Sequence, residues 1–291
     1  MSAAKKLKSS TIAEDTVEMT SASSVSGYDP FKQSSLFHEV YLNVEVPHKF
    51  KQIWDIGEDG EFGDFCNSFR NLCAEYDFKD YESWSEIDTI QHWIIPILEM
   101  LGYCDKKEGK SQPFSLDTSF TYEKKSLRPD FIVVDRPSDL KHIKDPKHSP
   151  EQKLEEARYY VKVAVEAKYW DRLEEYKQNK VENKKRADNK KPSAAETKDP
   201  VEQILEYMKM LNNDWGILTD GKVWRLYHRE LSNDSQKRTF QFNLGYLAKF
   251  AKESLSSNTE EQKLFLENAK YFYFLFNKDA LFGTDLFLVE I

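Results

Sequence analysis

Two short runs rich in β-branched residues constrain this chain more than anything else in it. One is Arg128-Pro129-Asp130-Phe131-Ile132-Val133-Val134, and the other is Val161-Lys162-Val163-Ala164-Val165-Glu166-Ala167-Lys168. Both have the length and composition of buried strands. Side chains alternate between the two faces of a strand, so residues two apart share a face. In the second run Val161, Val163, Val165 and Ala167 make an apolar face, while Lys162, Ala164, Glu166 and Lys168 make the other. Glu166 and Lys168 are thus expected to point the same way at the strand's C-terminal end, and Asp130 opens a strand able to lie alongside. Carboxylates buried near each other are costly unless compensated. Two of them with one ammonium on a single patch predict a site for a hard divalent cation and an anionic substrate. The competing reading makes Asp130 a turn cap after Pro129 and leaves Glu166 and Lys168 as exposed edge residues.

The 291 residues suit one large domain or two small ones. A net charge of −8 excludes a globally basic nucleic-acid binder, so any contact with nucleic acid must rest on local patches. No apolar run approaches the roughly 20 residues of a membrane helix, and none follows Lys5, Lys6 and Lys8 as a secretory signal requires. Cys66, Cys73 and Cys104 are odd in number and lack C-x-x-C spacing, which argues against a disulfide framework or zinc site and predicts a cytoplasmic location. Gly109-Lys110-Ser111 has Cys104 where a phosphate loop needs its first glycine.

Along the chain, residues 1–27 are rich in Ser, Thr, Ala and Lys and are expected to form a disordered tail. An N-terminal extension, 28–80, should hold a strand over 40–46 and a helix over 61–76, the latter from the spacing of Phe62, Phe65, Phe69, Leu72 and Cys73. A core follows over 81–228. Its first helix, 83–101, carries a stripe of Ile87, Ile90, Ile94, Ile97, Leu98 and Leu101, stops at Gly102 and should kink at Pro96. Ser83 and Glu86 have capping-box spacing, which gives Glu86 a role at the helix start. A strand is expected over 114–122, a polar surface excursion over 136–158, and a short helix from 150 to about 158 within it. The stretch 177–191 is the most basic, suited either to a solvated linker or to phosphate contacts with salt-dependent binding. Asp199-Pro200-Val201-Glu202 starts a helix whose buried stripe is Val201, Ile204, Leu205, Met208 and Leu211. Gln203 and Tyr207 share a face beside that stripe and read from pattern alone as a boundary pair. Strands over 215–219 and 222–227 are joined by Asp220-Gly221, a type I′ hairpin signal. The C-terminal extension, 229–291, predicts helices near 244–255 and over 259–281, the second with an aromatic run at 271–276 of core or interface type.

Pro129-Asp130 followed by Glu166-Ala167-Lys168 resembles the PD-(D/E)XK nuclease signature. Gln203-Ile204-Leu205-Glu206-Tyr207 is similar to the QxxxY motif that follows the core in one branch of that superfamily. Trp215-Gly216-Ile217-Leu218-Thr219-Asp220-Gly221-Lys222-Val223-Trp224-Arg225-Leu226-Tyr227 closely resembles the hairpin after the nuclease core of type IIG, and more loosely type I, restriction enzymes. The pieces fall in the family's order, and the resemblance covers roughly residues 81–285. It implies an α/β protein with a restriction-endonuclease-like core, a mixed central β-sheet flanked by helices, and extra N- and C-terminal helical segments. It further implies a Mg²⁺-dependent endonuclease of a restriction-modification system acting on double-stranded DNA, with Mn²⁺ as a substitute cation. Asp130, Glu166 and the backbone carbonyl of Ala167 would hold the metal. Lys168 would orient the attacking water and stabilise developing charge. Glu86 would complete the shell or hold a second ion, a role compatible with capping. Gln203 and Tyr207 would sit beside the site, holding a carboxylate or touching DNA. A methyltransferase or specificity module in cis or trans would choose the sequence, and a transient homodimer would serve double-strand cleavage. The chain is then either part of a longer enzyme or a stand-alone relative. Two readings stay open beside this one: a catalytically silent nuclease-fold module for DNA binding or assembly, and a structure-selective DNA resolvase.

Overall fold

A computed structural model describes residues 29–49, 51, 55, 59–76, 78–103, 114–116, 118–173, 199–232, 237–253 and 259–282. The expected tail at 1–27, the Gly109-Lys110-Ser111 tripeptide and the basic stretch at 177–191 lie outside the described residues. The protein is α/β, with one mixed sheet between two layers of helices. The strands are β1 (Lys32–Ser34), β2 (Phe114–Leu116), β3 (Phe120–Tyr122), β4 (Lys125–Leu127), β5 (Phe131–Val134), β6 (Val161–Ala167), β7 (Trp215–Thr219), β8 (Val223–His228) and β9 (Phe240–Asn243). Seven of them form the sheet in the order β1-β9-β8-β7-β6-β5-β2, and β3 pairs with β4 apart from it. Among the described residues only β6 and β7 run parallel, and the other pairings are antiparallel.

Strand alternation sorts the sheet into two faces. Phe131, Val133, Val163, Val165, Ala167, Ile217, Trp224 and Leu226 pack on one side, against α1 (Gly60–Glu75), the helical run α2 made of Glu86–Thr89, Ile90–Ile94, Ile95–Leu98 and Glu99–Tyr103, which breaks at Gly102 (φ 85°) as the sequence predicts, and the later helices. Ile132, Val134, Ala164, Leu218 and Tyr227 face the other side, under α3 (Pro150–Tyr160) and α4 (Pro200–Leu211). The predicted division of β6 therefore holds from Val163 to Ala167, but Val161, expected on the apolar face with them, packs in the other cluster because the pairing with β5 is irregular between Val133 and Val134 and skips Lys162. Helix starts follow the predicted capping chemistry at α4, where the Asp199 side chain accepts from Val201 N and Pro200 stands in the first turn. α3 begins with a Ser149–Gln152 capping box. α5 (Leu244–Glu253) and α6 (Thr259–Phe276) add Leu247, Ala248, Phe265, Phe272 and Phe276 to the first cluster, so the 271–276 aromatic run is core.

Several local expectations are corrected. Residues 40–46 are helical, a π-helical turn Tyr41–Glu45 leading into Val46–Lys49, with Val40 and Val44 exposed. The 114–122 strand is two strands, β2 in the sheet and β3 in the β3–β4 hairpin. The C-terminal region supplies a strand, β9, and the 259–281 helix breaks at Asn277 before Lys278–Phe282. Pro96 sits between two π-helical stretches, which absorb its missing donor without ending the helix. Ile87 belongs to the predicted stripe by spacing but is 65% exposed. Among the described residues, no helix is long and apolar enough to cross a membrane.

The β7–β8 connection is built differently from the I′ turn expected. Asp220 and Val223 close it, with Gly221 and Lys222 between them, and of these two only Gly221 has positive φ, at 82°. That is the type II′ requirement. Gly221 is also crowded: a Cβ there would lie 3.0 Å from Thr89 Cγ2 and Trp170 Cε3 and 3.1 Å from Trp93 Cδ1. Its carbonyl accepts from the indole N–H of Trp93 at 2.9 Å and of Trp224 at 3.2 Å. Gly60 also has positive φ, 63°, but nothing lies within 4 Å of its Cβ position. Gly60→Ala should cost about 1 kcal/mol of backbone strain, and Gly221→Ala at least about 1 kcal/mol more, because ring atoms must move as well. Urea midpoints of the two variants test this, and equal losses would contradict the packing described.

Candidate active site

The antiparallel pairing of β5 with β6 aligns Phe131 with Val165. The residue before β5 therefore comes level with the end of β6. Asp130 stands there, and its Oδ2 accepts a hydrogen bond of 2.7 Å from the amide of Ala167. Glu166 projects from the same end of β6 and is 2% exposed. Lys168, one residue past the strand, donates to Glu166 Oε1 at 2.6 Å, and its backbone N–H donates to Thr219 O on β7 at 2.8 Å. Glu86 reaches in from α2, with its Oε2 3.8 Å from Lys168 Nζ.

The position of Glu86 follows from a correction. The capping box is Ser85–Asp88, not Ser83–Glu86: Ser85 Oγ accepts from Asp88 N at 3.2 Å, and Asp88 Oδ2 accepts from Ser85 N at 3.0 Å. Glu86 is therefore the first helical residue, with no capping duty, and its carboxylate is half-exposed toward Lys168. α4 closes the other side. Tyr207 is buried, and its hydroxyl donates to the carbonyl of Arg128 at 3.2 Å. Burial first, then the negative charges of Glu166 and Asp130, raise the Tyr207 pKa, while a hydrogen bond with Gln203 opposes them. Tyr207 is thus within electrostatic reach of the carboxylates, and Gln203 beside it is half-buried. All six sequence-selected side chains, Glu86, Asp130, Glu166, Lys168, Gln203 and Tyr207, come to this end of the sheet.

Asp220 carries no site signal in the sequence, where Asp220-Gly221 reads only as a turn. It is fully buried and accepts from the backbone N–H of Val223 at 2.7 Å and of Leu173 at 2.9 Å. Burial pushes its pKa up to about 6 against those two bonds. With the Lys222–Asp171 ion pair at 2.9 Å, it fastens the segment after Lys168 to the hairpin tip.

Burial, and then the neighbouring charge of Asp130, push Glu166 up to about 8, although Lys168 opposes both. Burial alone would lower Lys168, but Glu166, Asp130 and Glu86 outweigh it and hold its pKa up. Glu166 Oε2 is buried with no hydrogen-bond partner. With both carboxylates ionised neither can donate to the other, so the pair shares a proton or needs a cation. Asp130, Glu166 and the Ala167 carbonyl form an oxygen-only donor set, which suits Mg²⁺ or Mn²⁺ with water completing the shell. Among the described residues, no cluster of three or more His, Cys, Asp or Glu side chains is arranged to hold a metal, so the protein's share of such a shell is small. Comparison with protein-family models, curated proteins and solved structures finds no match to this chain.

A carboxyl whose folded pKa is about 8, against 4.5 unfolded, binds more proton in the folded state between those values. Stability without divalent cation should therefore fall as pH rises through that window. Glu166→Gln should remove this component and flatten the slope between pH 5 and 8, leaving the smaller contribution of Asp220. Urea unfolding in EDTA across that range measures it. A variant with the wild-type slope would show that Glu166 is not the strained group.

Proposed function

We propose that this chain is a divalent-cation-dependent DNA endonuclease domain of restriction type, built on a restriction-endonuclease-like core. One observation carries the reading: Asp130, Glu166 and Lys168, on two segments joined by a long connection, meet at one sheet end with Glu166 Oε2 buried and unpartnered. Packing alone seldom justifies two buried carboxylates side by side.

Asp130, Glu166 and the Ala167 carbonyl would hold Mg²⁺ or Mn²⁺, which when bound polarises a phosphate and acidifies water. Lys168 supplies a positive charge fixed by Glu166 and by its backbone bond to Thr219. Placed there, it would orient a nucleophilic water and stabilise charge developing on the phosphate oxygens. Glu86 balances that ammonium from the solvent side. Tyr207 fixes the chain just before Asp130 through the Arg128 carbonyl. Gln203 hydrogen-bonds the Tyr207 side chain. Sequence choice would belong to a separate specificity or methyltransferase module. A single site of this kind would cut both strands only through a second copy or a second pass.

Lys168→Ala, in protein of verified fold, should lower cleavage of supercoiled plasmid, assayed with Mg²⁺ and with Mn²⁺, by at least about 100-fold. Undiminished nicking by that variant would overturn the assignment.

A further inference from the structure

The cross-strand row that contains Glu166 continues through Leu218 on β7 to Arg225 on β8 and Gln241 on β9. Glu166 and Arg225 therefore lie on one face of the sheet, two strands and roughly 10 Å of backbone apart. Arg225 is 6% exposed. Its Nε donates to Gln241 Oε1, a neutral acceptor, at 2.9 Å, and its Nη2 is buried with no partner. The nearby carboxylate of Asp220 is engaged by the amides of Leu173 and Val223. In the same row Glu166 Oε2 is likewise buried and unpartnered. Asp220 lies within electrostatic reach of the guanidinium and the Tyr227 side chain hydrogen-bonds it, yet Nη2 keeps an unfilled donor, which is costly in a buried position. The planar fork of the guanidinium matches phosphate oxygens better than any lysine could. Gln241 is only half-buried, so the row reaches solvent at β9.

We propose that Arg225 is the recognition group of a phosphate-class anion site on the carboxylates' side of the sheet. Its occupant is a phosphodiester of the nucleic-acid strand, next to the one held at Asp130 and Glu166. The occupant, though not the site, rests on the endonuclease reading. Scissile and neighbouring phosphates would then be held by unlike groups, a cation-filled carboxylate pair and a guanidinium, which fixes the direction in which the strand crosses the sheet.

The test has two arms on the full chain. In the first, thermal midpoints are compared in sodium phosphate and in sodium chloride at equal ionic strength. Wild type should rise by about 3 °C at phosphate ten times its dissociation constant, and Arg225→Met should show no rise. Arg225→Lys keeps the charge without the fork. It should respond only at about tenfold higher phosphate, and it carries the comparison if the Met variant does not fold. Lys168→Ala should keep the wild-type rise. A wild type without the rise, an Arg225→Met protein that keeps it, or its loss in Lys168→Ala would each overturn the site. In the second arm, duplex DNA binding is titrated with salt in Ca²⁺. Arg225→Met should lower the slope of log affinity against log salt by about one. An unchanged slope beside a lost phosphate rise would mean that free phosphate, not DNA, fills the site. A wild type that shows the phosphate rise but binds no DNA would refute the endonuclease reading and the occupant while leaving the Arg225 site standing.

Discussion

The hydrogen bond from the Ala167 amide to the Asp130 carboxylate is the contact on which the site depends. It joins two segments that meet only because β5 and β6 pair antiparallel in one register. A shift of one residue would turn Glu166 to the opposite face, into the aromatic side of the core. The register is held by burial on both sides, since Phe131, Val133, Val163 and Val165 fill one cluster while Ile132 and Ala164 fill the other. The same burial raises the affinity of Glu166 for protons and leaves one of its oxygens without a partner. Fold stability and site chemistry thus pull against each other at this residue, a conflict often found where a protein binds or reacts.

The remainder of the structure works to keep that sheet end rigid. The hairpin tip at Gly221 is buried under Trp93, Trp170 and Thr89, and its carbonyl takes two indole N–H groups. Asp220 and Lys222 on the same tip hold Leu173 and Asp171, so the chain leaving Lys168 is fastened within a few residues of the ammonium. α4 approaches β7 closely at Gly216, where a Cβ would come 2.4 Å from Met208 Sδ. That approach brings Tyr207 over the carboxylates. α6 and α5 complete the opposite layer, and their aromatic side chains make the sheet's far face nearly continuous with α1 and α2.

Much of this was legible in the sequence because it rests on short-range periodicity. The two faces of β6 follow from alternation from Val163 onward, and the start of α4 follows from Asp199-Pro200. What escaped has physical causes. Ser83-x-x-Glu86 and Ser85-x-x-Asp88 overlap and both fit a capping box, and local spacing cannot choose between them. Residues 40–46 carry three valines suited to a strand, yet two of those valines are exposed on a helical turn beside the core. β9 is four residues long in a polar region and exists because β8 and β1 offer it partners. Asp220 looked like turn chemistry because its second partner, Leu173, lies 47 residues away. Convergence of the carboxylates was readable as an expectation; the unpartnered oxygen and the aligned Arg225 required the pairing of four strands.

The proposed function requires the Asp130–Glu166 pair to hold a divalent cation. Counting bound Mn²⁺ by electron paramagnetic resonance, in wild type and in Glu166→Ala of verified fold, tests it most directly. Wild type should bind at least one ion that the variant does not. Equal Mn²⁺ binding by the two proteins, or none by either, would contradict it.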